Sequence, residues 1–317
     1  MKYYFIINPA AGKGTAARLI PRIRAAAARR GTEAVVHTTS GPGEAEEFVQ
    51  ERCLREAGEE LRFYACGGDG TAGEAARGLL GTENAALGVI PCGSGNDLVR
   101  SFPGRDFLDL EAQLDAAAVP LDLVEFCGRV AVNLCNCGLD ANVAHNMPRF
   151  KRLPGVSGSM AYQLSIAHTF FHRLWKDATV RLDGGPPQKA RLLLLVAANG
   201  QYYGGGYRGA PLAKPDDGLL DVCMVSSISR WKILGFLQKY QQGFHLEDPA
   251  WAPYVTYRQV RRVEAEFSSP VTMCLDGETF QGTRMSARIL PGAARFLLPA
   301  LPGEAGPGGI NGLSITE

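Results

Sequence analysis

The sequence of 317 residues lacks a long run of apolar residues. Its longest later apolar stretch, residues 192–198, is far shorter than the roughly 20 residues that a helix needs to cross a bilayer. The apolar run at the N-terminus, residues 3–7, stops at Asn8-Pro9, and no small-residue cleavage site follows it, so it does not resemble a signal peptide. A membrane-spanning class is therefore disfavoured, and we expect a soluble, cytoplasmic protein.

Paired cysteines and an excess of one charge are also lacking. None of the 8 cysteines belongs to a Cys-x-x-Cys pair, which argues against common zinc and redox motifs. Cys135 and Cys137 flank a single residue of a predicted strand, so we place both on one face of it. The 33 basic and 32 acidic residues leave a net charge of +1. Binding to a nucleic-acid backbone is therefore not favoured.

The first 120 residues alternate strand-like and helix-like segments. Apolar runs predict strands at residues 3–7, 34–38, 61–65 and 87–90, and helical spacing predicts helices at 15–30, 44–57 and 72–80. Pro21 lies inside the first of these helices, so we expect that helix to begin late or to kink. The repeated strand-helix order predicts a parallel sheet covered by helices.

The pattern changes after Leu121. Strand-like segments prevail and lie at residues 130–137, 178–182, 190–198, 219–226, 259–267, 271–275 and 293–297. Helices are predicted at 158–176 and 229–241, and an antiparallel β domain fits best. We therefore predict an α/β domain at 1–124, to which residues 289–300 return, and a β domain at 125–288. Residues 301–317 are rich in glycine and proline and are expected to form a flexible tail.

Three glycine-rich loops follow predicted strands of the first half. Gly12-Lys13-Gly14 opens a G-x-G-x-x-A pattern, but no acid ends the second strand, as a dinucleotide site would want. The loops Gly67-Gly68-Asp69-Gly70-Thr71 and Gly93-Ser94-Gly95-Asn96-Asp97 each follow a strand and each carry one aspartate. Glycines expose backbone N–H groups to phosphate oxygens, and the loops of a parallel sheet meet at one edge. The pair predicts a site for a nucleotide with a metal ion.

These motifs resemble the diacylglycerol kinase catalytic-domain family, and in particular its soluble bacterial lipid kinases. The first part of the match is Asn8-Pro9-x-x-Gly12, Gly67-Gly68-Asp69-Gly70-Thr71-x-x-Glu74 and Pro91-x-Gly93-Ser94-Gly95-Asn96-Asp97. It continues, to about residue 299, through Asp122, Asn133, Gly138-Leu139-Asp140-Ala141, Gly204-Gly205-Gly206, Asp217-Gly218-Leu219-Leu220-Asp221 and Asp276-Gly277-Glu278. Gly-Gly-Asp-Gly-Thr is shared with NAD kinases and phosphofructokinases, whereas the whole set is highly specific. Ser94 replaces a usual threonine and Gly73 a frequent asparagine.

The resemblance implies a fold of two domains, with ATP and Mg²⁺ in the cleft between them. The N-terminal one, at 1–124, would be a three-layer α/β domain that binds ATP, and the C-terminal one, at 125–288, a β-sandwich that binds the lipid substrate. It implies ATP contacts from Asn8, Pro9, Gly12, Lys13, Gly14, Thr39, Gly67, Gly68, Asp69, Gly70, Thr71, Glu74, Gly93, Ser94, Gly95 and Asn96. It also implies catalytic roles for five acids: Asp69, Asp97 and Asp122 around Mg²⁺, Glu278 as proton acceptor, and Asp276 beside it. A second, structural Mg²⁺ site would use Asp217, Leu219 and the carbonyl of Lys214.

The function implied by the resemblance is transfer of the γ-phosphoryl group of ATP to a lipid hydroxyl, above all that of diacylglycerol, giving phosphatidic acid. A phosphatidylglycerol or sphingoid-type lipid as acceptor, NAD kinase-like activity, and a nucleotide-sensing module with a decayed site are the alternatives. The retained Asp69, Asp97, Asp122 and Glu278 argue against decay. We expect a membrane lipid as partner, reached by transient peripheral contact. The sequence leaves open whether the protein forms a homodimer.

The segment 147–154 is a further candidate for that contact. It mixes apolar residues with Arg149, Lys151 and Arg152 in a predicted loop. Such a segment suits an anionic membrane surface, and an ordinary connecting loop is the equally supported alternative.

Overall fold

The computed structural model describes residues 1–172 and 174–304, apart from the side chains of residues 158 and 159. The chain divides into two compact units. Met1–Leu121 and the segment from Ala294 on form the first unit, and Asp122–Ala293 form the second. Most of the tail predicted at 301–317, from residue 305 on, lies outside the described residues. Within the described part of the chain, no helix is both long and apolar enough to cross a bilayer.

Strands and helices alternate in the first unit. They are β1 (Lys2–Ile7), α1 (Ile20–Arg29), β2 (Ala34–Thr38), α2 (Glu44–Arg55), β3 (Leu61–Gly67), α3 (Asp69–Gly78), β4 (Ala85–Pro91), α4 (Asp97–Arg100), α5 (Leu110–Leu114) and β5 (Ala117–Phe126), the last of which runs on into the second unit. The helix α1 begins late, as expected, and Pro21 occupies its first turn, where a missing N–H costs nothing.

The second unit contains most of the remaining elements. They are β6 (Arg129–Ala131), β7 (Leu134–Gly138), α6 (Leu139–Lys151), α7 (Gly158–Phe170), β8 (Lys176–Leu182), β9 (Gln188–Ala198), β10 (Leu220–Ser226), α8 (Arg230–Gln242), β11 (Val255–Val260), β12 (Arg262–Leu275) and β13 (Glu278–Leu298). The end of β13, from Ala294 on, belongs to the first unit.

The first unit is a parallel sheet with helices on both faces, so the α/β prediction for this half is confirmed. Its strand order is β2-β1-β3-β4, and the end of β13 lies beside β4. Alternate residues of β1 point to opposite sides, as the pleat requires. Phe5 packs in a core with Ile23 of α1, whereas the ring of Tyr4 lies 5.8 Å from that of Phe48 on α2. The carboxyl ends of β1, β3 and β4 therefore form one edge.

The second unit is built on antiparallel strands, which confirms that prediction too. The order β11-β10-β9-β7-β12-β13 is antiparallel throughout, and β8 pairs with β9 and β12. The two sides of β9 serve different cores: Leu195 joins the core that contains Cys135 and Cys137, while Val196 joins the core that contains Phe236 of α8. The two cysteines thus share one face, as predicted.

Three local predictions differ from the structure in their extent. The segment 130–137 is not one strand, because the N–H groups of residues 132–134 donate to a side chain instead of a neighbouring strand. The segment 147–154 is not a loop throughout, because α6 continues through Pro148 to Lys151. Proline usually ends a helix, but here α6 packs on α7, and Ser165 of α7 donates to the carbonyl of Val143 at 2.6 Å. The strand predicted at 293–297 is the end of the much longer β13.

Candidate functional site

The loops after β1, β3 and β4 are joined by hydrogen bonds at the carboxyl edge of the parallel sheet. The Asn8 N–H donates to the carbonyl of Cys66 at 3.1 Å, and its side-chain amide donates to the hydroxyl of Thr71 at 3.0 Å. The Cys92 N–H donates to the carbonyl of Gly67 at 2.8 Å. The structure therefore brings together the three glycine-rich motifs that the sequence predicts to bind a nucleotide.

Glycine is required where these loops approach one another. A Cβ on Gly93 would lie 2.4 Å from the Cα of Gly68, and a Cβ on Gly12 would lie 2.2 Å from the carbonyl oxygen of Cys92. Gly12 and Lys13 both have a φ of 56°, a left-handed conformation that glycine adopts readily and that is uncommon for lysine. The resulting cradle is lined by backbone atoms, and α3 begins in it at Asp69.

We expect Gly93→Ala to destabilise the first unit by about 1–3 kcal/mol, because the new methyl group overlaps the backbone of Gly68 and a loop must move. Gly70→Ala is the matched control, since a Cβ there meets nothing within 4 Å and alanine suits the first turn of α3. Urea unfolding of both variants measures the effect. Equal stability of Gly93→Ala and the parent protein would show that the close approach is not needed.

Asp69 connects two of the loops. Its Oδ1 accepts hydrogen bonds from the N–H groups of Asp97, at 2.6 Å, and Leu98, at 3.3 Å, so it caps the short helix α4. Its Oδ2 lies beside Gly95. A Cβ added to Gly95 would be 2.5 Å from Oδ2 of Asp69 and 3.2 Å from Oδ2 of Asp97. Asp97 is buried and has Arg100 at 3.5 Å. The two carboxylates thus flank the same glycine.

The remaining predicted nucleotide residues lie around this cradle. Asn96 is left-handed, with a φ of 54°, and its side chain exchanges two hydrogen bonds with the backbone of Gly93. Ser94 is exposed, and Thr39 is buried with its hydroxyl 3.3 Å from the carbonyl of Ile7. The carboxylate of Glu74, on α3, accepts a 3.4 Å hydrogen bond from the N–H of Ala45 at the start of α2. The structure thus gives Glu74 a contact with α2.

Asp276 and Glu278 of the second unit have different surroundings, although one residue separates them. The carboxylate of Asp276 accepts hydrogen bonds from the N–H groups of Val132, Asn133 and Leu134, at 2.7, 3.2 and 3.0 Å. The side chain of Glu278 is 69% exposed, and the guanidinium of Arg129 lies 3.8 Å from it. Asp276 therefore holds a loop in place, whereas Glu278 is accessible to a substrate.

Asp122 belongs to the second unit and is buried. Its two carboxylate oxygens accept the N–H groups of Gly292 and Gly218, both at 2.6 Å. The Gly218 bond anchors the loop that carries Asp217, whose Oδ1 accepts the N–H of Leu219 at 3.0 Å. Partial burial raises the pKa of Asp217, and the nearby negative charge of Asp122 adds to this. Asp122 thus organises the loop of the predicted second metal site.

Sequence reasoning did not single out Asn199, which connects these regions. Its buried side-chain amide donates to the carbonyls of Asp122, at 2.8 Å, and Val132, at 2.9 Å. It thereby joins the strand of Asp122 to the loop that Asp276 holds. Its position directly after the apolar strand β9 and before Gly200 is the signal that could have identified it.

Asp140, part of a family motif with no predicted role, forms a second polar cluster. Tyr203 donates a hydrogen bond to its carboxylate and lies 2.9 Å from the hydroxyl of Tyr240. Burial raises the pKa of Asp140 to about 6. Tyr203 and Tyr207 pair across the turn Gly204-Gly205-Gly206, so these glycines close a hairpin.

The cradle fits a nucleotide with Mg²⁺. Its loops need glycine at their closest approach, and a backbone without Cβ atoms can come close to phosphate oxygens. Mg²⁺ is commonly bound by one or two carboxylates together with phosphates and water, and Asp69 and Asp97 supply two. Among the described residues, no group of three or more His, Cys, Asp or Glu side chains could hold a metal ion by itself.

Comparison with protein families divides the chain at nearly the same place as the structure. Residues 2–126 match the family described as diacylglycerol kinase catalytic domain. Residues 133–298 match the family described as YegS C-terminal NAD kinase beta sandwich-like domain. The predicted combination of an α/β domain with a β-sandwich is thereby confirmed.

Curated relatives are similar along most of their length. A protein of Pseudomonas aeruginosa named "Probable lipid kinase YegS-like" is 32% identical over 285 residues, which are 88% of this chain and 90% of the relative. A protein of the same name from Chromohalobacter salexigens is 30% identical over 256 residues, 78% of this chain and 80% of the relative.

Solved structures share the fold. A diacylglycerol kinase from Bacillus anthracis superposes with a TM-score of 0.67 and 21% identity, covering 95% of this chain and 98% of that one. An NAD kinase from Archaeoglobus fulgidus in complex with ATP superposes with a TM-score of 0.51 and 14% identity, covering 94% of each chain. The matches to both domain families and to relatives of nearly full length lead to one assignment: the chain belongs to the YegS-like lipid kinases of the diacylglycerol kinase family.

Proposed function

We propose that this lipid kinase transfers the γ-phosphoryl group of ATP, with Mg²⁺, to the hydroxyl group of diacylglycerol. The observation that carries the proposal is the cradle of Gly67–Thr71 and Gly93–Asp97, in which two carboxylates flank one glycine. The family match to a diacylglycerol kinase catalytic domain supports the choice of lipid.

The nucleotide side of the reaction uses the backbone of the first unit. N–H groups of the three loops and the N-terminus of α3 would hold the phosphates, and the hydroxyls of Ser94 and Thr71 lie in the same loops. Phosphoryl transfer requires little covalent chemistry from the protein, so positioning and electrostatic stabilisation account for most of the catalysis. A cradle fixed by close glycine contacts suits that task.

Asp69, Asp97 and Asp122 are the proposed acidic network around Mg²⁺, and Lys214, Asp217 and Leu219 the proposed second site. Bound Mg²⁺ would neutralise charge on the phosphate oxygens during transfer. Asp69 and Asp97 would hold it directly or through water, as the two carboxylates beside Gly95. Asp122, whose oxygens accept two backbone N–H groups, would act by anchoring the loop of Asp217.

Glu278 is the proposed general base. Its exposed carboxylate would accept the proton of the lipid hydroxyl as that oxygen attacks the γ-phosphorus. Asp276 would position Glu278, because its carboxylate fixes the loop at residues 132–134.

Labelled ATP offered with diacylglycerol, phosphatidylglycerol, sphingosine and NAD, with the lipids in detergent micelles, tests the proposal. We expect label in phosphatidic acid, and we expect EDTA to abolish the transfer. Transfer to another lipid alone would contradict diacylglycerol as the acceptor and leave the protein a kinase of that other lipid. Transfer to NAD alone would overturn the lipid acceptor, and undiminished transfer in EDTA would overturn the Mg²⁺ requirement.

A further inference from the structure

Large apolar side chains are exposed where α7 ends and α8 begins. Phe171 and Trp231 are each 78% exposed, and Leu234 of α8 is also exposed. Met160 and Leu164 of α7 and Phe171, which directly follows it in helical conformation, recur at helical spacing and so lie on one face. Single exposed apolar residues are ordinary, but contiguous groups mark interaction sites. We name these five residues the α7/α8 surface.

The two helix ends are fixed to each other. The ring centroids of Phe170 and Trp231 lie 6.3 Å apart. The guanidinium of Arg230 donates to the carbonyls of Phe170 and His172, the latter at 2.7 Å. The exposed side chains are therefore presented by a preorganised surface.

The chain segments that carry this surface contain basic but no acidic residues. No aspartate or glutamate occurs between Asp140 and Asp177, or between Asp221 and Glu247. The exposed cations in these segments include Arg149, Lys151, Arg152 and Lys232, whereas Lys239 is paired with Asp248 at 3.5 Å. The end of α6 is brought to the end of α7 by the ring of Phe150, 5.7 Å from that of His168, which stacks on His172 at 4.2 Å.

We propose that the α7/α8 surface docks on an anionic lipid bilayer, with its apolar side chains at the headgroup level and the flanking cations against lipid phosphates. Tryptophan and phenylalanine suit this depth, and basic residues are attracted to anionic leaflets. A second copy of the chain fits less well, because a two-fold interface would face these cations with one another and not with acids. The inference rests on the proposed function in that the acceptor lipid would come from this bilayer.

Co-sedimentation with phosphatidylcholine vesicles, with and without phosphatidylglycerol, tests the docking. The parent protein should sediment with the anionic vesicles, and Phe171→Ser/Trp231→Ser should bind them about tenfold or more weakly. Leu54→Ser, at an 82% exposed apolar residue of α2, is the matched control and should bind like the parent. The triple variant Arg149→Gln/Lys151→Gln/Arg152→Gln should bind the anionic vesicles more weakly, and its binding should depend less on salt concentration. Lys189→Gln should change neither the binding nor its salt dependence.

Unchanged vesicle binding by the double serine variant, or no binding by the parent, would overturn the docking surface. A shift of the variant from dimer to monomer in sedimentation velocity, without a change in vesicle binding, would assign the surface to a second copy instead. Transfer to short-chain diacylglycerol in micelles separates the two proposals. The double variant should equal the parent there, whereas failure of the parent on every lipid in micelles would contradict the proposed function and leave the sedimentation result standing.

Discussion

Asp69→Asn is expected to leave the fold intact and to lower phosphoryl transfer by at least about 100-fold. The amide retains an Oδ1 that can accept the N–H groups of Asp97 and Leu98, so α4 keeps its cap. What is lost is the negative charge beside Gly95, where Asp69 and Asp97 would support Mg²⁺. Thermal unfolding together with transfer from labelled ATP to diacylglycerol in micelles measures both effects.

Asp109 provides a matched control within the same unit. It caps α5 in the same way, accepting the N–H groups of Glu111 at 2.9 Å and Ala112 at 3.3 Å. Asp109→Asn should therefore transfer at the parent rate. Asp69→Ala and Asp109→Ala should each lose about 1 kcal/mol of stability, because each removes a helix cap. Only Asp69→Ala should also lose activity. Near-parent turnover by Asp69→Asn would remove Asp69 from the catalytic machinery.

The parallel sheet and its loops could be predicted from the sequence because their signals are local. An apolar strand, a glycine turn and an amphipathic helix each span few residues, and a parallel order brings successive loops to one edge. The close approach of Gly68 and Gly93 gives that expectation its physical form, since two loops from different strands meet where a Cβ added to Gly93 would lie only 2.4 Å from the Cα of Gly68.

Other features depended on residues far away in the sequence. The break between β6 and β7 is made by Asp276, about 140 residues later, whose carboxylate takes the N–H groups that would continue a strand. The helix α6 continues through Pro148 and packs on α7, a tertiary context that local propensity does not contain. The two acids of Asp276-Gly277-Glu278 likewise look equivalent in the sequence and acquire different environments only in the fold.

Glu278→Gln is expected to lower transfer by about 100-fold or more, with unfolding unchanged. The side chain is 69% exposed, and its contact with Arg129 is 3.8 Å, so the fold gains little from its charge. Glu266 is the matched control: it is 64% exposed, pairs with Arg284 at 2.7 Å, and should tolerate Gln without loss of activity. Kinetics in micelles and thermal unfolding compare the two.

Asp276→Asn should give the opposite result, a loss of stability of about 1–3 kcal/mol with a smaller loss of transfer per folded molecule. Either Oδ2, which accepts the N–H of Val132, or Oδ1, which accepts that of Leu134, becomes an amide donor, so part of the loop's hydrogen bonding is lost. The pair of variants decides which carboxylate takes the proton. If Asp276→Asn abolishes transfer at full stability while Glu278→Gln remains active, Asp276 is the base and Glu278 is a surface residue. If Glu278→Gln abolishes transfer at full stability while Asp276→Asn loses stability and remains active, Glu278 is the base. Its carboxylate is exposed and available to the acceptor hydroxyl, whereas that of Asp276 is occupied by backbone N–H groups.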